Sequence, residues 1–450
     1  MKKIFFLLIA IFSIAINAQT NPAITKFLQN TTGITGRHYV TGNSTPIVDA
    51  VQANVQSVYY NAMYSYVSAT GIPAYITGPF QDGNPSLATA QNKIFRIPLN
   101  PTQGSGTTAT TGGNIGVFIN GVALFDYRDG VAWNNTTQSL CGGPGNSPCP
   151  GGPTATQAWN RDAIPAERAG FDCSKAHPAM GNYHHHQNPS AFNLDLLVTS
   201  TICDAYPSDG LYVINTNEHS PLLGFAYDGF PIYGAYAYAN TNGTGAITRM
   251  KSSYQLKDQT TRSNGPAVNQ VLGAQTFFNG YFREDYEYVA HNDDASYLDQ
   301  HNGRFCVTPE YPEGIYCYFA TVDANHKSAY PYVVGPTFYG NITVTTVTTI
   351  PDGATQYTQP LDNASFGDNN FKVIVAPNPA QDFIAIQTNT AENDMTVDVI
   401  DALGKIVKTT KIIQGSTLSI IETDNLYNGT YIVRILDGSK SKTTKLIIAK

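Results

Sequence analysis

The stretch 116–130, "GVFINGVALFDYRDG", sets the fold class. Short apolar runs are broken by Asn120-Gly121 and closed by Asp129-Gly130. Asn and Gly accept the backbone conformations of tight turns, so they punctuate strands instead of continuing helices. The same grammar returns in "GLYVINTN" (210–217) and "GIYCYFATVD" (314–323). Composition agrees with it: 28 Tyr, 11% aromatic residues and only 13% charged residues favour half-buried β-structure over solvated helices. Only "AITKFLQN" (23–30) and "VDAVQANVQSVYYNA" (48–62) suggest short helices. The expected fold class is mainly β.

Outward from this core, the two ends of the chain differ in character. Lys2 and Lys3 precede an apolar run from Ile4 to Ile16, and Ala18 offers a small-residue cleavage site. That pattern predicts a secretory signal peptide over 1–18, too short for a membrane anchor. No later stretch reaches the roughly 20 apolar residues that span a bilayer. A β-rich body is expected over 19–345. From 343 a Thr/Val alternation dissolves into Pro, Gly, Asp and Asn, which places a linker over 346–370. Residues 371–450 then read as seven short β-segments: "FKVIVAP", "DFIAIQT", "MTVDVIDA", "KIVKTTKII", "TLSIIE", "TYIVRIL" and "TTKLIIA". Seven strands with turns between them predict a small β-sandwich.

The net charge is −7, and removing the two leader lysines makes the rest more acidic still. An acidic body lacks the basic face that nucleic acid requires. All six cysteines fall between Cys141 and Cys317, and an exported chain permits disulfides. Proximity suggests Cys141–Cys149, Cys173–Cys203 and Cys306–Cys317. No CxxC pair supports a zinc ribbon or a thioredoxin-like motif.

Three of the nine histidines are consecutive, in "GNYHHHQNP" (181–189). On a strand, side chains alternate faces, so His184 and His186 point together while Tyr183 and His185 point the other way. An HxH pair offers two imidazoles to one ion. His177, seven residues before His184, is the third candidate, with Pro178 and Gly181 to bend the chain back. Imidazole donors suit copper and zinc alike. His219 and Asp228, in "NEHSPLLGFAYDGFPIYGAY" (217–236), are expected to complete the metal site. Tyr183 and His185 would support the ligands from behind. The acidic run "YVAHNDDASYLDQHNGR" (288–304) holds His291, Asp293, Asp294, Asp299 and His301, yet its spacing does not fit an EF-hand loop. Glu310 and Glu313 flank a Pro-Gly turn. No GxSxG elbow, HExxH or P-loop is present, and the HxH lacks the nearby glutamate of a cupin.

Two resemblances frame these readings. The tail resembles the C-terminal sorting domain of the type IX secretion system of Bacteroidetes. It does so through Pro377-Asn378-Pro379-Ala380, "DALGK" (401–405), "LYNGTYIVRI" (426–435) and the closing "KLIIAK" (445–450). That resemblance implies handling by the type IX machinery, removal of the tail, and release or attachment to surface lipopolysaccharide. The body is similar to the bacterial YHYH family through five stretches. These are "VFINGVALFD" (117–126), "WNRDAIPAERAGFDCSKAHPAMGNYHHHQNP" (159–189), "HSPLLGFAYDGFPIYG" (219–234), "NGRFCVTPEYPEGIYCYFAT" (302–321) and "YPYVVGPTFYG" (330–340). At the eponymous motif this chain has His185 where the family has its second tyrosine, so the motif histidines correspond to His184 and His186. The family name describes a sequence and no reaction. The reading that emerges is a secreted or outer-membrane surface protein with a copper or zinc site. Such a site would serve a metal-dependent hydrolase or oxidase. The alternative is an adhesion or glycan-binding protein with structural histidines.

Overall fold

A computed structural model describes residues 21–81, 87–143, 145–151, 157–191, 202–358, 373–389, 391, 393–437 and 440–450. The expected signal peptide and residues 359–370 of the expected linker lie outside these residues. Strand dominates the described chain, and its helices are single turns.

An eight-stranded sheet forms the centre of the body. Its order is His177–Ala179, Asn182–His185, Ala123–Phe125, Asn114–Phe118, Leu222–Ala226, Pro231–Tyr233, Ile315–Phe319 and Gly303–Cys306. Alternation sends neighbouring side chains to opposite faces. Phe118, Leu223 and Tyr318 enter one apolar cluster, while Val117, Phe225 and Phe319 enter another. Both faces are therefore covered, which is why "VFINGVALF" reads as a continuous apolar run. Burying each such aromatic or aliphatic side chain contributes roughly 1.5–3 kcal/mol. Gly224 is required here, because a Cβ would collide with the backbone of Val117 and Phe118 on the adjacent strand.

A five-stranded sheet supplies much of the second cluster. Its order is Thr346–Val347, Lys93–Pro98, Tyr64–Ala69, Val55–Tyr60 and Thr355–Tyr357. Val58, Val67, Phe95 and Tyr357 pack from it into the core. The body sheet thus continues to Tyr357, past Thr346 where the linker was expected to begin.

Residues 48–62 are corrected from helix to strand. Asn43–Gln52 and Val55–Tyr60 are both strands, separated by Asn54 at φ 65°. Helix occupies only Pro22–Thr25 of the other expected segment. "GLYVINTN" is buried over Leu211–Ile214 but joins no ladder. In the tail all seven expected strands are present, in sheets of three and four strands around an apolar cluster, and Ala376, Ala385 and Leu418 join a second cluster with Ala191 and Val213 of the body.

Two disulfides are formed, Cys141–Cys149 and Cys173–Cys203. The expected third bond is not. Cys306 stands opposite Ile315 and Cys317 opposite Arg304, so the two cysteines are diagonal neighbours on an antiparallel ladder. The register sets them side by side on one face of the hairpin, and their thiols hydrogen-bond to each other. Both are buried free thiols.

Candidate metal centre

The site is built on the hairpin His177–Ala179/Asn182–His185. His177 stands directly across from His184. Met180 and Gly181, at φ 48° and 84°, make the tight turn that joins the two strands. The second strand runs parallel to Ala123–Phe125, with His184 beside Ala123. The approach to the hairpin is pinned by Asp172. Its carboxylate accepts hydrogen bonds from the backbone N–H of Gly78 and Ser174, both at 2.9 Å, and from the Tyr183 hydroxyl at 2.8 Å.

His177, His184 and His186 are all buried, and their ligand atoms lie within 4.8 Å of one another. His184 Nε2 is 3.0 Å from His186 Nε2. The opposite ring nitrogens face backbone carbonyls. His184 Nδ1 is 2.8 Å from the oxygen of Asn182, and His186 Nδ1 is 2.5 Å from that of Asp126. A carbonyl accepts only, so each Nδ1 carries a proton and each ring turns its Nε2 inward. Phe125 stacks on His184 at 3.7 Å, and Phe171 meets the His177 ring edge-on at 4.9 Å. Burial, reinforced by the two neighbouring imidazoles, pushes the His184 ring well below the ordinary histidine range.

Tyr183 and His185 occupy the other face, as alternation requires. The His185 Nε2 meets the Tyr75 hydroxyl at 2.8 Å, and its ring stands edge-on to Phe118. Burial drives its pKa down to about 3.

His219 and Asp228 are not brought to this cluster. They flank the strand Leu222–Ala226, three strand positions from the histidine strand, on the order of 14 Å away. His219 packs against Tyr233 and Tyr238. Asp228 accepts from the Tyr318 hydroxyl at 2.5 Å and from Gly340 N–H at 2.9 Å, so its oxygens serve a turn. In the acidic run, Asp294 caps Ser296, and Asp299 accepts from His301 N–H and the Tyr316 hydroxyl. Glu310 pairs with Lys26.

Sequence reasoning missed Glu167. It ends the single-turn helix Ala163–Glu167, and its Oε2 lies 3.2 Å from His177 Nε2 and 3.3 Å from His186 Nε2. "DAIPAERAG" carries no signal of this, because a single helical turn has no periodicity to show which way an acid points.

Two family models match the chain. Residues 94–330 match the one described as YHYH protein, and residues 374–449 match the secretion system C-terminal sorting domain. No curated protein matches.

Proposed function

The chain belongs to the YHYH protein family, and from that premise we propose that its body is a metal-binding module whose ion, copper or zinc, sits among His177, His184 and His186. The sorting tail directs the protein through type IX secretion to the cell surface or the extracellular space. Among the described residues, no helix is long and apolar enough to cross a membrane.

The observation that carries this reading is the convergence of three buried imidazoles, with two inward-facing Nε2 atoms 3.0 Å apart. Two electron-rich nitrogens at that separation repel unless a cation lies between them. Burial and the neighbouring imidazoles oppose a proton's charge on the His184 ring. A soft or borderline metal ion satisfies both rings and leaves their Nδ1 hydrogen bonds intact, an arrangement that orients metal-bound imidazoles in general. Where such an ion keeps an open position, it lowers the pKa of bound water or polarises a substrate, which is the basis of hydrolase or oxidase chemistry. The glycan-binding alternative gains no comparable support. Among the described exposed large hydrophobic side chains, only Tyr288 and Tyr427 are tyrosines.

Elemental analysis of the purified protein tests the proposal. Wild type is expected to carry close to one equivalent of metal, and the His184→Ala/His186→Ala double variant almost none. Equal metal content in two folded proteins would remove the reading.

A further inference from the structure

We infer that Glu167 is the fourth metal ligand, completing a closed three-histidine, one-carboxylate set for a divalent ion of the zinc type. This rests on the metal-binding reading above and extends it to the ion's class and role.

The argument begins with distances. Donors about 2.0–2.2 Å from one tetrahedral ion stand roughly 3.3–3.5 Å from each other. Glu167 Oε2 is 3.2 Å from His177 Nε2 and 3.3 Å from His186 Nε2, and His184 Nε2 is 3.0 Å from His186 Nε2. Three edges of a coordination polyhedron are therefore close to length already. The second observation is chemical. Oε2 is buried and makes no well-formed hydrogen bond, despite its proximity to two imidazoles. The reason is visible at His186, whose Nδ1 proton is committed to the Asp126 carbonyl. Its Nε2 is turned toward the carboxylate. A buried carboxylate oxygen left without a hydrogen bond is unfavourable unless a cation satisfies it.

The third observation is how firmly the carboxylate is delivered. Asp162 caps the helix, accepting from Ile164 N–H at 3.0 Å, and is itself held by the Tyr332 hydroxyl at 2.6 Å. Ala163 N–H donates to the Tyr127 carbonyl at 2.8 Å. Tyr127 follows Asp126, whose carbonyl orients His186, so one short segment fixes both the carboxylate and an imidazole.

Three imidazoles alone do not discriminate copper from zinc. A carboxylate adds a hard, anionic oxygen, which suits a divalent ion and disfavours cuprous copper. It also fills the last tetrahedral position. A set with no vacancy holds its ion and does not offer it to a substrate.

Zinc titration and cobalt(II) spectroscopy on the full chain separate the outcomes. Glu167→Gln is expected to weaken zinc binding at least 10-fold and to shift the visible bands of the cobalt(II) protein. Glu167→Asp, which keeps the charge but shortens the arm, should fall between wild type and Glu167→Gln. Added azide should leave the wild-type cobalt spectrum unchanged and alter that of Glu167→Ala, where a position has opened. If Glu167→Gln matches wild type in affinity and spectrum, or azide perturbs wild type as readily as Glu167→Ala, the carboxylate is not a ligand while the histidine site stands. Failure of wild type to take up zinc or cobalt would overturn both readings. Far-ultraviolet circular dichroism establishes that each variant is folded.

Discussion

At the scale of single residues, Asp228 illustrates how burial separates a structural acid from a catalytic one. Burial pushes its carboxyl up to about 6, against the hydrogen bonds from Tyr318, Gly340 and Phe230. The folded chain therefore holds this proton more tightly than the unfolded chain. The stability so gained is complete below about pH 4 and is lost as pH rises through about 6. Asn is shaped like the protonated acid and has no proton to release. Asp228→Asn should gain about 3 kcal/mol relative to wild type between pH 4 and pH 7.5, read by urea denaturation at both values. An unchanged difference would mean that burial does not disfavour the carboxylate. Residues differ in how legible they were beforehand. Strand alternation placed His184 and His186 on one face and His185 on the other, because a period of two survives any global arrangement. Asp228 and His219 looked equally plausible in a line of text, but two intervening strands keep them from the histidines. Glu167 was invisible because its direction depends on packing that no local pattern records.

At the scale of elements, the histidine hairpin depends on its turn. Gly181 has φ 84°, and a Cβ there would also run into Thr89. Gly181→Ala should cost about 1–2 kcal/mol from the left-handed backbone alone. It should also weaken zinc binding, because the turn sets His177 opposite His184. Thermal unfolding and zinc titration of the one variant check both effects, and a loss of stability with undiminished affinity would show that register does not govern the site. The seven tail strands were legible because each alternates cleanly and ends in a turn. Residues 48–62 misled for a physical reason. Val48, Val51, Val55 and Val58 recur at helical spacing, yet Asn54 breaks the segment and ladder pairing on both sides holds it as strand. The hairpin brings Cys306 and Cys317 together as their nearness in sequence suggested, but as two free thiols in contact and not as a disulfide.

At the scale of the whole molecule, the chain joins a body with both faces of its central sheet covered to a tail that has its own apolar cluster and shares a smaller one with the body. The tail matches the sorting domain over residues 374–449. In a host with type IX secretion, a chain lacking residues 371–450 should stay inside the outer membrane, while the full chain reaches the surface or the medium. Cell fractionation and immunoblotting would decide this, and equal delivery of both chains would refute the tail's role. The central sheet also differs from the proposed metal centre in how far along the chain it reaches. The sheet draws Val117 to Phe225 and Tyr233 to Phe319, whereas the four proposed donors all lie between Glu167 and His186. Closing so short a loop costs little chain entropy, while the long-range pairings are slow to form. An ion could therefore gather its donors before the sheet that later encloses them exists. The compartment in which the nascent body first meets free metal would then decide which ion is sealed inside.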